Sequence, residues 1–206
     1  MREIVRKPNA TYQDVLDAPE TVIAEIISGE LRLSPRPGGA ATAVASSLCH
    51  ELGPPFQRGR GGPGGWLIFF EPELYIGDEI VVPDVAGWRR ERLAVAPAGA
   101  FFAVPPAWIC EVLSRSTERM DRREKMPLYA SFGVPYAWII HPRRRTLEAY
   151  RLENGAWRAA GVYQEPERAR IEPFGAIELE LALLWADAPP PSRASEEPGH
   201  YEHGWY

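Results

Sequence analysis

The chain has 206 residues, enough for one domain with a substantial core. Its hydrophobic content of 45% and charged content of 25% exclude disorder of the whole chain. The formal net charge of −5 argues against a protein that coats nucleic acid nonspecifically, because such binding needs Lys and Arg to neutralise phosphates, but it does not exclude a nuclease.

Two features of the sequence bear on its location. Cys49 and Cys110 lie in apolar surroundings, and the first residues lack the hydrophobic segment of a signal peptide. Apolar runs also stay well short of the roughly 20 residues that a membrane helix requires. The sequence therefore predicts a cytoplasmic protein that does not enter a membrane.

The first half of the chain predicts two helices and five strands. They are a helix from Thr11 to about Pro19, strands over 22–27 and 30–33, a helix over 40–52 that two prolines stop, and strands over 66–70, 73–76 and 79–82. The glycine-rich segment 59–65 is predicted to be a loop. It lacks the Gly-Lys-Ser/Thr ending of a phosphate-binding P-loop, so it is a connection or an arm that touches nucleic acid.

The second half alternates strands with one helix. The predicted elements are extended chain over 85–88, a strand over 108–113, a helix from Ser116 or Thr117 to about Phe132, a strand over 137–140, a hairpin over 146–152 and 156–163, and a last segment over 177–185. We expect one domain over residues 1–186 and a disordered, proline-rich tail over 187–206.

Three side chains stand out from this pattern. Glu111 lies within an apolar strand predicted to be buried on both faces, where an ionised carboxylate must be paired, protonated or bound to metal. Asp84 follows Pro83 and could merely cap a turn. Lys125 lies at the centre of the apolar stripe of the predicted helix. It could extend past the core to solvent, pair with Asp121, or return over Glu111.

Together these residues have the composition of a site for a hard divalent cation. Magnesium prefers oxygen ligands and keeps several waters, so two carboxylates and one main-chain carbonyl suffice as the protein's contribution. We predict that Asp84, Glu111 and the backbone carbonyl of Val112 bind Mg²⁺ or Mn²⁺. Lys125 would orient the attacking water or stabilise the phosphate oxygens.

A longer set of residues resembles a known family. The pattern is Glu25-Ile26-Ile27-Ser28-Gly29-Glu30-Leu31, Val82-Pro83-Asp84, Glu111 to Thr117, Asp121-Arg122, Lys125, Tyr129, Gly133-Val134 and Tyr136-Ala137-Trp138. Over about residues 10 to 186 it resembles the Uma2 family of restriction-endonuclease-like nucleases, in the PD-(D/E)XK superfamily. The resemblance implies an α/β (α+β) fold, a mixed β-sheet flanked by helices, with an added C-terminal β-hairpin.

The resemblance also implies roles for individual residues. Asp84 and Glu111 would bind the metal, and Lys125 would replace the lysine usually found two residues after the glutamate, where this chain has Leu113. Glu25 matches a frequently acidic position and would be a further ligand or a water-positioning group.

The leading hypothesis is a Mg-dependent endonuclease that hydrolyses DNA phosphodiester bonds. Arg115 and Arg122, from a basic cluster beside the predicted site, would contact the nucleic acid. A homodimer is expected, because cleavage of a duplex generally requires two sites. The alternatives are a noncatalytic nucleic-acid-binding or regulatory protein that retains the nuclease fold, and an assembly protein that uses the edge strands of its hairpin.

Overall fold

A computed structural model describes residues 5–189 of the chain. Its helices are α1 (Tyr12–Leu16), α2 (Gly39–Leu52), α3 (Glu118–Met120), α4 (Met126–Ser131) and α5 (Leu181–Leu184). Its strands are β1 (Val5–Pro8), β2 (Val22–Ile27), β3 (Glu30–Pro35), β4 (Trp66–Phe70), β5 (Leu74–Ile76), β6 (Glu79–Val81), β7 (Val85–Arg89), β8 (Trp108–Val112), β9 (Tyr136–His141), β10 (Thr146–Glu153), β11 (Ala156–Gln164), β12 (Arg168–Ala169) and β13 (Leu179–Glu180).

These strands form two large sheets and one small sheet. The first is five-stranded and antiparallel, in the order β1-β3-β2-β6-β5. The second is six-stranded, in the order β11-β10-β9-β8-β7-β4, and is mixed because β8 and β9 run parallel. The predicted mixed sheet with flanking helices is confirmed. The predicted C-terminal hairpin is also present, and it forms one edge of the six-stranded sheet rather than a separate layer.

One face of the six-stranded sheet carries a tryptophan-rich core. Trp66, Trp108 and Trp138 surround the ring of Phe174 at centroid distances of 4.8, 4.8 and 5.5 Å. Helices α2 and α5 cover this face with the buried side chains Val44, Leu48, Leu181 and Leu184. Such large aromatic surfaces contribute a major part of the hydrophobic stabilisation of the core.

The opposite face packs against the first sheet and the helical segment after β8. Its buried cluster joins Ile109 of β8 and Ile139 of β9 to Ile27 of β2, Val81 of β6 and Tyr129 of α4. Side chains alternate between the two faces of a strand. Glu111 therefore shares the face of Ile109, and it points into the layer between the two sheets.

The helix expected over residues 116–132 is not one regular α-helix. A π-helical turn over Asp121–Lys125 separates α3 from α4. Helical backbone also continues past α2 as a π-helical turn over Gly53–Gln57, so the two prolines do not stop it. Proline is tolerated there because its missing N–H falls at the first positions of the new turn.

The turn between β10 and β11 lies where the sequence predicts it. Asn154 and Gly155 both have positive φ, 51° and 76°, as a two-residue turn between twisted strands requires.

Strand β1 was not predicted from the sequence. The expected tail over 187–206 lies almost wholly outside the described residues, and within them no helix has the length and apolar character needed to cross a membrane.

Candidate active site

Strands β7 and β8 bring Asp84 and Glu111 together. They pair antiparallel with Val85 opposite Cys110, so continuing the register by one residue sets Asp84 opposite Glu111. Side chains at directly opposite positions of antiparallel strands have Cβ atoms about 5 Å apart. Both residues line the same cleft. The residues predicted from sequence to share a metal therefore lie next to each other.

The carboxyl group of Asp84 is held by the neighbouring backbone. Its Oδ2 accepts a hydrogen bond from the Val112 N–H at 2.6 Å, which leaves Oδ1 without that constraint. Burial, followed by the negative charge of Glu111, raises the pKa of Asp84 to about 8. In the absence of a cation, this carboxyl group therefore retains its proton at neutral pH.

Glu111 is held by two donors on the helical segment. Its Oε1 accepts a hydrogen bond from the Tyr129 hydroxyl at 2.6 Å and lies 2.9 Å from the Lys125 Nζ. Only 2% of Glu111 is exposed, yet the residue lines the cleft. Because both donors contact the same oxygen, Oε2 remains available toward Asp84.

The Lys125 ammonium lies at the centre of the cluster. Its Nζ is 2.9 Å from Glu111 Oε1, 3.0 Å from Glu25 Oε1 and 2.9 Å from the Val82 carbonyl oxygen. Burial alone would lower the pKa of Lys125, but the carboxylates of Glu111 and Glu25 outweigh it, and the pKa is raised well above its usual value. Of the three positions that the sequence left open for Lys125, the structure shows the one over Glu111, and the ion pairs of Lys125 are with Glu111 and Glu25.

Glu25 reaches the cluster from the first sheet. Its Oε1 accepts hydrogen bonds from the Val82 N–H at 2.9 Å and from Lys125. Burial raises the pKa of Glu25, although the Lys125 charge opposes that effect. Because Glu25 is only 1% exposed, it belongs to the inner wall of the cleft.

The sequence reasoning gave no catalytic role to Asp121, which lines the cleft, or to Tyr129, which lies behind Glu111 in the buried core. Tyr129 is fully buried and bonds directly to Glu111. The signal for it was its position four residues after Lys125, on the same helical face. Asp121 is 3% exposed, and burial followed by the charge of Glu111 raises its pKa well above the usual value.

The cleft is narrow. Its internal space is about 30 Å³, which admits water but not a phosphodiester group. The hydroxyls of Ser114 and Thr117 also line it and lie 3.0 Å apart. A phosphodiester would therefore meet the carboxylates at the mouth of the cleft.

The two arginines predicted to contact nucleic acid differ in their surroundings. Arg122 donates to both carboxylate oxygens of Glu148, at 2.8 and 2.6 Å. Its guanidinium is therefore largely occupied by the protein. Arg115 is exposed and makes no ion pair with any residue of the described range.

The donor set fits a divalent cation in part. A hydrogen bond joins the carboxyl groups of Asp84 and Glu111, and burial, followed by the charge of Glu111, raises the pKa of Asp84. A cation bound between the two groups would replace the shared proton. Val112 lines the same cleft. Across residues 5–189, no group of three or more His, Cys, Asp or Glu side chains is placed to hold a metal ion, so water molecules would complete its coordination.

Comparison with known proteins identifies the family of the chain. A family model described as "Uma2: Putative restriction endonuclease" matches residues 10–184. The chain belongs to the Uma2 family. This membership supports nuclease function for the protein.

A solved structure also resembles this Uma2 protein. It is described as "a putative nuclease belonging to DUF820" from Anabaena variabilis, and it matches with a TM-score of 0.69 and 24% identity over 86% of this chain and 98% of its own. At that identity the likeness is one of fold. No curated protein matches the chain.

Proposed function

We propose that this Uma2 protein is a Mg²⁺-dependent endonuclease that hydrolyses phosphodiester bonds of DNA. The observation that carries the proposal is the convergence of Asp84, Glu111 and Lys125 in one cleft, with the Lys125 Nζ 2.9 Å from Glu111 Oε1. A lysine contributed by the helical segment thereby reaches the glutamate although Leu113 occupies the usual lysine position.

Each residue has a separate task in the proposed mechanism. Asp84 and Glu111, with the Val112 carbonyl, would hold Mg²⁺ or Mn²⁺. The bound ion would supply positive charge that activates an attacking water and offsets the charge developing on the phosphate. Glu25 would position water or add a further oxygen ligand, because its Oε1 is bonded to the protein while Oε2 is not so constrained.

Lys125 would serve first to position Glu111 and Glu25. Its three N–H groups match its three acceptors, two carboxylates and the Val82 carbonyl. Contact with a phosphate oxygen therefore requires one of these bonds to be exchanged. The bond to the neutral carbonyl is the weakest of the three, so we expect it to be exchanged first.

Protein acceptors occupy all three N–H groups of Lys125, and this favours a second candidate function. The candidate is a noncatalytic nucleic-acid-binding or regulatory protein that keeps the nuclease fold. If no bond is exchanged, the ammonium stabilises the buried carboxylates and contributes nothing to a transition state. The two candidates differ in one measurable property, which is metal-dependent cleavage.

Nicking of supercoiled plasmid DNA tests the proposed function. Wild-type protein with Mg²⁺ or Mn²⁺ should convert the plasmid to open-circular and linear forms, whereas chelation of the metal should stop the reaction. Glu111→Gln should abolish cleavage, and Glu153→Gln on the exposed hairpin should preserve it. Absence of cleavage by wild-type protein across DNA and RNA substrates would favour the noncatalytic candidate.

We further propose a homodimer in the cytoplasm, with Arg115 and Arg122 near the scissile phosphate. Cleavage of a duplex generally requires two sites, which a dimer provides. Light scattering on the purified protein measures this directly, and a monomer at working concentration would refute the dimer alone.

A further inference from the structure

Five exposed arginines lie at the end of the six-stranded sheet remote from the cleft. These residues, which we call the distal arginine patch, are Arg58, Arg60, Arg89, Arg90 and Arg92. The two segments that carry them, 58–65 and 89–93, contain one acidic residue, Glu91. This concentration of positive charge contrasts with the net charge of −5 for the whole chain.

The two segments form one surface. Arg89 lies opposite Trp66 in the pairing of β4 with β7, and the Arg90 N–H donates to the Gly65 carbonyl at 2.9 Å. Within the glycine-rich loop, an added Cβ at Gly64 would lie 3.4 Å from the Gly59 Cα. The loop therefore folds back on itself, and the arginines on either side of Gly59 lie beside those that follow β7.

The backbone of this loop is held in place. The Arg58 N–H donates to the Gly53 carbonyl at 3.1 Å, and the Arg60 N–H donates to the Pro54 carbonyl at 2.8 Å. The guanidinium of Arg89 stacks 4.0 Å from the centroid of the Trp66 ring. The patch is thus a formed surface with exposed charges.

The patch arginines differ from several others in the protein. Arg32, Arg122, Arg145 and Arg168 each pair with glutamates. None of the five patch arginines forms an ion pair with a residue in the described part of the chain. Their charge is therefore available to a polyanion.

The patch is separate from the cleft. Asp84 precedes β7 and Arg89 ends it, so the two residues are about 16 Å apart at ~3.3 Å per residue. The cleft itself gathers four carboxyl groups, from Glu25, Asp84, Glu111 and Asp121, around the single ammonium of Lys125. Phosphates gain little attraction there before a cation binds, so affinity for nucleic acid must arise elsewhere on the surface.

We propose that the distal arginine patch binds the phosphate backbone of duplex DNA away from the scissile bond. The patch supplies affinity, and the cleft supplies the chemistry. The proposal rests on the proposed function only for the identity of the polyanion. It assigns the glycine-rich loop a binding role, in place of a simple connection.

The double variant Arg58→Glu/Arg60→Glu tests the patch. Binding of a fluorescein-labelled duplex is measured by anisotropy in EDTA, where no cleavage occurs. We expect the Kd to rise at least about tenfold, and the slope of log Kd against log salt concentration to fall by about two, one for each lost phosphate contact.

A matched control uses Arg151→Glu/Arg158→Glu. These exposed residues lie opposite each other in β10 and β11, at the other edge of the same sheet. The control changes the net charge by the same amount and should alter the Kd less than about twofold. Circular dichroism and thermal unfolding of both variants verify that each one is folded.

Each outcome has a distinct meaning. Three results would each contradict a binding role for the patch. They are equal weakening of binding by both double variants, wild-type affinity in the patch variant, and no duplex binding by wild-type protein. If wild-type protein cleaves plasmid and the patch variant binds duplex as tightly as wild type, the binding role of the patch is contradicted and the proposed function still stands. Weakened binding by the patch variant, with no cleavage by wild-type protein, supports the patch and contradicts the endonuclease.

Discussion

The arrangement around Lys125 shows how a buried ammonium can stabilise buried acids. Glu25 and Glu111 are 1% and 2% exposed, and each lies within 3.0 Å of the Lys125 Nζ. An ionised carboxylate with no partner at such a position would be strongly destabilising. The lysine therefore stabilises the folded state by pairing with two buried acids, which the sequence alone did not reveal.

Lys125→Met should abolish cleavage and make stability more sensitive to pH. The Lys125 charge lowers the pKa of Glu25, so its removal raises that pKa further. When the pKa of a carboxyl group is higher in the folded state than in the unfolded state, the free energy of unfolding falls as the pH rises above the pKa of the unfolded state. Relative to wild type, the variant should lose more free energy of unfolding at about pH 8 than at about pH 5. Urea denaturation at the two pH values measures this, and an equal loss at both would contradict the buried pairing.

Tyr129→Phe should weaken the proposed metal site while preserving the ring that fills the core. Loss of the hydroxyl frees Glu111 Oε1 from a 2.6 Å hydrogen bond. Groups that orient metal ligands typically contribute about 10–100-fold to metal affinity or activity. We expect a loss in this range in Mn²⁺ titrations and in the cleavage rate.

Tyr150→Phe is the control for that experiment. The Tyr150 hydroxyl donates to Glu148 at the same distance of 2.6 Å, but neither residue lines the cleft. This variant should bind metal like wild type. If the two phenylalanine variants behave alike, Tyr129 has no specific role in positioning Glu111.

Binding of Mg²⁺ should release a proton at neutral pH. The pKa of Asp84 is raised to about 8 by burial and by Glu111, so the group is protonated below that pH and must ionise to bind a cation. Calorimetric titration at about pH 7 in buffers with different ionisation enthalpies should show release of nearly one proton per ion. The release should fade above about pH 8, and heats independent of the buffer at pH 7 would refute a protonated Asp84.

At the scale of elements, the sequence predicted strands better than the helical segment. Alternation and apolar runs indicated β2, β4, β8 and the β10–β11 hairpin, because these patterns reflect burial directly. The π-helical turn over Asp121–Lys125 was not predicted, since it depends on the cleft that its side chains line.

Close packing of β7 leads to a prediction for Gly87. A Cβ added there would lie 3.2 Å from Trp108 Cε3 and 3.3 Å from Trp66 Cε3, closer than these rings can easily accept. Gly87→Ala should lower the free energy of unfolding by about 1–3 kcal/mol through overpacking. Chemical denaturation measures the change.

The matched variant is Gly99→Ala, where a Cβ would meet nothing within 4 Å. It should change stability by less than about 0.5 kcal/mol. If Gly87→Ala lowers the free energy of unfolding no more than this control does, the rings of Trp66 and Trp108 move to accept the added methyl group.

At the scale of the whole molecule, the site is assembled from both large sheets and the helical segment. Asp84 and Glu111 come from the six-stranded sheet, Glu25 from the five-stranded sheet, and Lys125 from the π-helical turn. The family resemblance predicted that these four residues act together. It did not predict that the strands divide into two sheets, because pairing between distant strands leaves no local signal in one sequence.

The central claim is that Asp84 and Glu111 hold a divalent metal in the cleft, and anomalous diffraction from crystals soaked in Mn²⁺ tests it most directly. The account predicts one strong anomalous peak within about 2.5 Å of a carboxylate oxygen of each residue, and no such peak in Glu111→Gln crystals. Well-diffracting wild-type crystals at saturating Mn²⁺ with no peak between the two carboxylates would contradict the account.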